Sequence, residues 1–135
     1  EENRWQGMTV SSFTSVSVNP PAVTVSLANK TLARAMVEST GLFAINILAG
    51  EDEKLADRFA GRSGDQDDRF RGVDVILSIE GLPLLQHALG WLTCRVMHSF
   101  PFQESTLFVG EVVNCETRLE DTPLVYFDRK YRRLK

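Results

Sequence analysis

Residues 8–31 read MTVSSFTSVSVNPPAVTVSLANKT, and this stretch decides the predicted fold. Met8 to Val18 is predicted to form one strand that ends at Asn19-Pro20-Pro21, because proline lacks the amide that a sheet ladder needs. Ala22 to Ala28 resumes as a second strand in which apolar residues alternate with threonine and serine. This period of two predicts a half-buried sheet whose Ser/Thr face is available to a ligand.

Short apolar runs separated by turn signals continue along the rest of the chain. Thr31 is predicted to cap a helix that ends at Gly41, and a second short helix is predicted between Gly50 and Gly61. The other predicted strands are Leu42 to Leu48, Val73 to Ile79, Leu89 to Met97, Thr106 to Cys115 and Leu124 to Phe127, with Arg62 to Gly72 as a surface loop and His98 to Ser105 as a long connection. The pattern favours a mostly-β barrel or sandwich with small helical insertions.

Composition limits both the size of the core and the class of ligand. The 135 residues, 43% of them hydrophobic, predict one domain over residues 1–135. A net charge of -3 and a single short basic cluster near the C-terminus argue against a nucleic-acid partner. No apolar stretch is long enough for a membrane span and residues 1–7 are too polar for a signal peptide, so a cytoplasmic location is expected.

Common catalytic and metal-binding signatures are absent from the sequence. It contains no G-x-G-x-x-G, P-loop, H-E-x-x-H or G-x-S-x-G motif. Cys94 and Cys115 lie in apolar runs and form no C-x-x-C pair, which predicts two buried thiols and no zinc site. His87 and His98 are interpreted as structural or surface residues. No catalytic residue and no metal ligand are therefore nominated.

Two segments have the composition of a ligand site. Thr9 to Ser17 carries hydroxyls on both faces of its predicted strand, which fits either a solvated edge strand or a surface lining the polar edge of a flavin. Taken alone, the edge strand is the commoner explanation. In Ser26 to Thr31 a strand ends and a helix begins, and Lys30 with neighbouring amides there would attract a phosphate. An ordinary capped helix with a solvated lysine explains that segment equally well.

In order and spacing these segments resemble the flavin reductase-like family of FMN-binding split barrels. The resemblance rests on Gly7 to Ser17, Asn19-Pro20-Pro21, Gly41 to Leu48, Leu55 to Ala60, Ala88 to Cys94 and Thr106 to Val112. It implies a split β-barrel of Greek-key type with a few short helices. It also implies a homodimer in which the partner subunit helps to cover the flavin groove.

The resemblance also implies roles for individual residues. Positions matching Thr9, Val10, Ser11 and Ser12 contact the isoalloxazine and ribityl region in the family. Those matching Ser26, Leu27, Ala28, Asn29, Lys30 and Thr31 hold the phosphate, and those matching Ala60 and Gly61 close over the flavin. The implied activity is reduction of FMN or FAD by NADH or NADPH, with the reduced flavin passing to a partner monooxygenase. The residues favour neither flavin and neither nucleotide.

Departures from the family pattern leave alternatives open. Many members show Gly-Asp-His, with the histidine near the nicotinamide, where this chain has Gln103-Glu104-Ser105, unless His98 swings in to replace it. That difference motivates an alternative, a flavin-binding protein without reductase activity. The chain also looks shortened ahead of Gly7, which would suit an interaction domain that has lost its flavin. Tyr131 with Arg132 resembles a terminal Tyr-Arg of the family, and a solvated basic tail is the equal alternative.

Overall fold

The computed structural model describes residues 5–61, 69–118 and 122–134, and within them the chain is built mainly from strands. The elements are β1 Thr14–Val18, β2 Pro21–Ala28, α1 Leu32–Thr40, β3 Leu42–Ile47, α2 Glu53–Phe59, β4 Val75–Leu77, β5 Pro83–Leu85, β6 Gly90–Phe102, β7 Ser105–Thr117, β8 Leu124–Phe127 and β9 Lys130–Arg133. The predicted mostly-β class with a few short helices is confirmed. Neither of the two helices found in the described ranges is long and apolar enough to cross a membrane.

Five of the strands form one antiparallel sheet in the order β1-β2-β7-β6-β3. Its inner face carries the core, and in its middle Val25 on β2 pairs with Phe108 on β7. Phe43 and Cys94 complete the centre of this cluster, and Phe108 and Cys94 are both 0% exposed. Val37 of α1 packs against the same face, so the helix that follows β2 is anchored to the sheet.

The strand and helix that flank the predicted phosphate segment form as expected. Along β2 the apolar side chains are buried and the intervening Thr24 and Ser26 are half-exposed on the other face. Thr31 caps α1 by accepting a hydrogen bond from the Arg34 amide, and Gly41 ends the helix with a φ of 72°. Glycine adopts that left-handed conformation without the steric cost that other residues have.

The first predicted strand is only partly correct, because β1 begins at Thr14 rather than at Met8. The preceding residues are not part of the sheet ladder. The Thr9 amide donates to the Phe59 carbonyl at the end of α2, at 3.1 Å. Ser12 reaches β2 through its side chain instead of its backbone. A hydrogen bond to the end of α2 and the side-chain bonds of Ser12 thus replace the regular β-ladder predicted for this segment.

The predicted long connection from His98 to Ser105 is wrong. β6 continues to Phe102 and β7 begins at Ser105, so Gln103 and Glu104 form a two-residue turn. Gln103 has a φ of 52°, which suits the tight turns of hairpins. Pro101 and the polar residues around it suggested a loop, but cross-strand pairing with Thr106 holds the segment extended.

A second hairpin occupies the end of the described chain, where β8 pairs with β9. Its turn residues Asp128 and Arg129 have φ values of 55° and 63°. The predicted strand Leu124 to Phe127 is confirmed. The basic tail that follows it forms β9, in which every residue except Tyr131 is exposed. The hairpin is attached to the rest of the chain where the Leu124 amide donates to the Leu48 carbonyl, at 2.9 Å.

The segment between α2 and β6 contains a short hairpin that the sequence did not predict. The strand predicted from Val73 to Ile79 is limited to β4, and its partner β5 contains the buried residues Leu84 and Leu85. Of the predicted surface loop Arg62 to Gly72, residues 62–68 lie outside the described residues, and residues 69–72 form turns.

The two cysteines differ in their surroundings. Cys94 is fully buried, as predicted, and burial raises the pKa of its thiol to about 12. Cys115 was also predicted to be buried, but this is wrong, because it lies in the last part of β7, where residues 114–117 are exposed. That part of the strand extends past β2, which pairs with β7 only as far as Glu111.

This difference predicts selective labelling. Because the thiolate is the reactive form of cysteine, a maleimide near neutral pH should modify Cys115 in the native protein and leave Cys94 unmodified. Mass spectrometry should find one adduct per chain before unfolding in urea and two after it. Cys115→Ser is the matched control and should give no native adduct. Native modification of Cys94 at the rate of Cys115 would contradict its burial.

Candidate functional site

The turn between β2 and α1, residues 28–31, which we call the β2–α1 loop, is closed by local hydrogen bonds. The Thr31 hydroxyl donates to the Ala28 carbonyl at 2.7 Å and accepts from the Arg34 amide at 3.2 Å. The Thr31 amide donates to the same Ala28 carbonyl at 3.1 Å. The Thr31 side chain is therefore used to build the turn, and its hydroxyl proton is already donated.

Asn29 joins this loop to the β6–β7 turn and to α1. Its amide donates to the Glu104 carbonyl at 2.8 Å, and its Nδ2 donates to the Gln103 carbonyl at 3.1 Å. Its Oδ1 accepts from the Thr106 hydroxyl at 2.6 Å. Arg34 donates from Nε and Nη2 to the Asn29 carbonyl at 3.2 and 2.8 Å. Both ends of the Asn29 side chain are thus occupied within the protein.

Lys30 and the first amides of α1 are the remaining donors of the loop. Lys30 is exposed, and among the described residues it makes no hydrogen bond or ion pair. The amides of Leu32 and Ala33 belong to the first helical turn, whose N–H groups have no partner inside the helix. That turn contains no acidic residue, so the positive end of the helix dipole is not neutralised there. This arrangement attracts an anion.

The polar segment ahead of β1 lies between α2 and β2. The Thr9 hydroxyl donates to the Ala56 carbonyl at 2.6 Å. The Ser12 hydroxyl donates to the Ser26 carbonyl at 3.1 Å and accepts from the Ser26 amide at 3.0 Å. These hydroxyl protons are used to hold the segment in place, which leaves backbone amides of the segment to meet a ligand.

The end of α2 approaches the same segment from the other side. Arg69 donates from Nη1 to the carbonyls of Gly7, at 3.1 Å, and Phe59, at 2.9 Å. Gly61 has a φ of 79°, and a Cβ there would lie 3.0 Å from Nη2 of Arg69. Gly61 therefore suits both its backbone conformation and the close approach of Arg69, and Ala60 precedes it at the edge of a cleft.

Two adjoining clefts, of about 950 and 470 Å³, share the segment around Thr9. The smaller cleft is lined by the N-terminus of α1 and by Arg69 with the end of α2. Among the predicted site residues, Thr9, Val10, Ser11 and Leu27 line the larger cleft, and Thr9, Thr31 and Ala60 line the smaller one. The remaining predicted residues, Ser12, Ser26, Ala28, Asn29, Lys30 and Gly61, line neither cleft. All of them except Asn29 adjoin in sequence a residue that does. The structure thus brings the three predicted segments to one region.

Charge distinguishes the two clefts. Glu80 lines the larger one, and a hydrogen bond from Ser78 is the main cause that holds its pKa below the usual value, so it stays ionised near neutral pH. The smaller cleft is lined by Arg69 and the positive end of α1. A phosphate is therefore favoured at the smaller cleft and disfavoured beside Glu80.

Sequence reasoning missed an aromatic wall beside the smaller cleft. Phe70 contacts Trp5 and Phe59 edge to face, with ring centroids 5.4 and 4.8 Å apart. Arg69, next to Phe70, was also missed because residues 62–72 were assigned to a surface loop. One aromatic residue between two arginines in an otherwise polar segment is the signal that marks this contact in the sequence.

His98 lies on β6, away from Ser105, the position at which the resemblance implies a histidine. It pairs with Val109 on β7, four residues beyond Ser105, which corresponds to about 13 Å along an extended strand. Its ring stacks on Phe100 at 6.0 Å. A rotation of the His98 side chain does not span that separation. No group of three or more potential metal ligands occurs in the part of the chain that the structure describes.

Comparison with known proteins gives a consistent result. The sequence profile described as "Flavin reductase like domain" matches residues 1–135. An NADH-dependent flavin reductase of Rhodococcus is 37% identical over 100% of this chain and 73% of its own length. The reductase component of 4-hydroxyphenylacetate 3-monooxygenase of Thermus thermophilus is 32% identical over 99% of this chain and 81% of its own length.

Solved structures agree with the sequence matches. NADH:FAD oxidoreductase SgcE6 of Streptomyces globisporus, in complex with NAD and FAD fragments, superposes with a TM-score of 0.89 at 30% identity. The superposition covers 96% of this chain and 78% of that structure. The predicted split-barrel fold is confirmed by this similarity.

Proposed function

The chain belongs to the family of flavin reductase-like domains, and from that membership we propose that it uses NADH or NADPH to reduce FMN or FAD for a partner monooxygenase. The observation that carries the proposal is the full-length match, combined with convergence of the three predicted segments on adjoining clefts. No acid–base dyad is required for this reaction, because the hydride chemistry belongs to the flavin.

The residues present fit a flavin phosphate at the β2–α1 loop. Lys30 supplies a charge, and the first amides of α1 supply donors at the positive end of the helix dipole. We place the phosphate at the turn formed by Ser26, Leu27, Ala28, Asn29, Lys30 and Thr31, in the direction of the smaller cleft, with Lys30 and the first amides of α1 as its direct contacts. Arg69, which lines the same cleft, adds to the positive potential there.

We place the flavin ring along Thr9, Val10, Ser11 and Ser12, with Ala60 and Gly61 closing over it. Bound flavin supplies the hydride acceptor, its N5 atom. The amides of Val10 and Ser11 have no acceptor among the described residues, and they suit negative charge near N1 of the reduced ring. Bonds from Thr9 to α2 and from Ser12 to β2 fix the direction of these amides.

Anaerobic mixing tests the activity. Either FMN or FAD with excess NADH or NADPH should lose its absorbance near 450 nm catalytically when the protein is added. Running all four combinations also identifies the preferred flavin and nucleotide. Stoichiometric flavin binding without nucleotide oxidation would favour the non-reductase alternative, and turnover with no combination would reject the proposed reaction.

We also propose a homodimer, supported by an exposed apolar patch on the outer face of the sheet. Ser26, Leu107 and Phe100 lie side by side across β2, β7 and β6 on that face. Phe100 is 53% exposed and Phe102, two residues further on, is 76% exposed. Contiguous exposed apolar side chains favour association with another protein surface. The partner subunit would then cover the face that carries the Ser/Thr side chains of β2.

Sedimentation analysis tests the dimer. The 15.2 kDa chain should sediment at twice its mass, and Phe102→Lys should weaken association by about tenfold or more because it buries a charge. Ile79→Lys is the matched control, since Ile79 is 91% exposed and lies outside the sheet. A wild-type monomer at micromolar concentration would contradict the proposal.

We propose the cytoplasm as the site of action. Cys94 and Cys115 are both free thiols, which suits a reducing compartment. The nicotinamide co-substrate of the proposed reaction suits the same compartment. Fractionation of the native host with an antibody against this chain tests the assignment.

A further inference from the structure

Building on the flavin site proposed above, we propose that Asn29 is a positioning residue. Its side chain makes hydrogen bonds that hold the β2–α1 loop to the first residues of β7 and to the β6–β7 turn. Lys30 and the first amides of α1 are thereby held where they meet the flavin phosphate. The Asn29 side chain itself does not contact the phosphate.

The evidence for this inference is the pair of hydrogen bonds made by the Asn29 carboxamide. Its Oδ1 accepts from the Thr106 hydroxyl, and Thr106 is 3% exposed, while its Nδ2 donates to the Gln103 carbonyl. The two bonds fix the plane of the amide at both ends. Turning it towards a ligand would leave the Thr106 hydroxyl buried without its acceptor, which is unfavourable. The Asn29 side chain therefore makes structural hydrogen bonds between two segments of the protein and is not available to a ligand.

Because Asn29 directly precedes Lys30, its hydrogen bonds affect the position of Lys30. The bonds of Thr31 close the turn only onto Ala28 and α1. Ala28 pairs with Ser105 at the end of β2, and beyond that pair Asn29 connects the loop to the β6–β7 turn and to β7 through its amide and its side chain. Lys30 comes directly after Asn29 and makes no hydrogen bond or ion pair with the described residues. Without the side-chain bonds of Asn29, only backbone bonds and those from Arg34 hold the loop, so the backbone that presents Lys30 is less constrained.

Titration of flavins with and without a phosphate distinguishes a role of Asn29 in positioning the phosphate-binding groups from a general destabilisation of the protein. FMN, FAD and riboflavin are titrated by fluorescence into wild type, Asn29→Ala, Thr106→Val and the double variant. We expect Kd for FMN or FAD to rise about tenfold in each single variant, with riboflavin changed less than about twofold. The double variant should bind no more weakly than Asn29→Ala, because both changes remove the same connection.

Thr106→Ser is the conservative control, because it keeps the hydroxyl that Oδ1 accepts from and should restore binding of FMN or FAD. Normal affinity in Thr106→Val combined with loss in Asn29→Ala would overturn the proposal, because Asn29 would then contact the phosphate itself. Equal losses for riboflavin and FMN would also overturn it and indicate general destabilisation. Failure of wild type to bind any of the three flavins would instead reject the flavin site, and the positioning role with it.

Discussion

Phe108→Ala is expected to lower the free energy of unfolding by about 3–5 kcal/mol. Phe108 is 0% exposed on the central strand β7, where it pairs with Val25 and packs against Phe43 and Cys94. Removing the ring loses its burial and leaves a cavity that the paired strands cannot close. Because domains of this kind are stable by about 5–15 kcal/mol, the loss is a large share of the total. Equilibrium unfolding in urea measures it.

Phe127→Ala provides the matched control for this change. Phe127 is 66% exposed on β8 and makes one cation–π contact with Arg132. Its loss should cost about 1 kcal/mol or less. Similar losses at the two positions, or a loss below about 1 kcal/mol at Phe108, would contradict the assignment of Phe108 to the centre of the core.

Lys30→Ala is expected to weaken binding of FMN or FAD by about 1–3 kcal/mol, which is roughly a 5- to 150-fold rise in Kd. The physical reason is the loss of a charge-assisted hydrogen bond to the phosphate. Riboflavin, which lacks the phosphate, should bind the variant as it binds wild type. The difference between variant and wild type should also shrink at high salt, because exposed charges are screened. Fluorescence titration measures each Kd.

Lys54→Ala is the control for overall charge, because Lys54 is another exposed lysine, on α2. It should leave all three affinities within about twofold of wild type. Unchanged FMN and FAD affinity in Lys30→Ala would show that Lys30 is a solvated surface residue, which is the alternative that the sequence also allowed.

The sequence alone predicts those helices and strands that are determined by residues close together in the chain. Alternation alone identifies β2, and the caps Thr31 and Gly41 identify both ends of α1. The same segments indicate an anion at the β2–α1 loop, because the geometry of a helix N-terminus follows from its own backbone. These predictions depend on neighbours a few positions apart, so they do not require knowledge of the tertiary structure.

The missed features depend on distant partners. Thr9 bonds to Ala56, 47 positions away, and that bond draws its segment out of the predicted strand. The β6–β7 turn contains no glycine that would mark it in the sequence, because Gln103 occupies the position with a φ of 52°. Arg69 bonds to Gly7, 62 positions away, so nothing near it in the sequence marks it.

The hydrogen bond that holds the β2–α1 loop to β7 affects the order of the folding steps. Asn29 and Thr106 are 77 positions apart, so their bond closes a long loop of chain. Contacts of such sequence separation form slowly, because much chain entropy is lost before they contribute stability. The β2–α1 loop therefore reaches its final form only after β2 has paired with β7. In a refolding experiment, recovery of phosphate-dependent flavin binding marks one of the last steps.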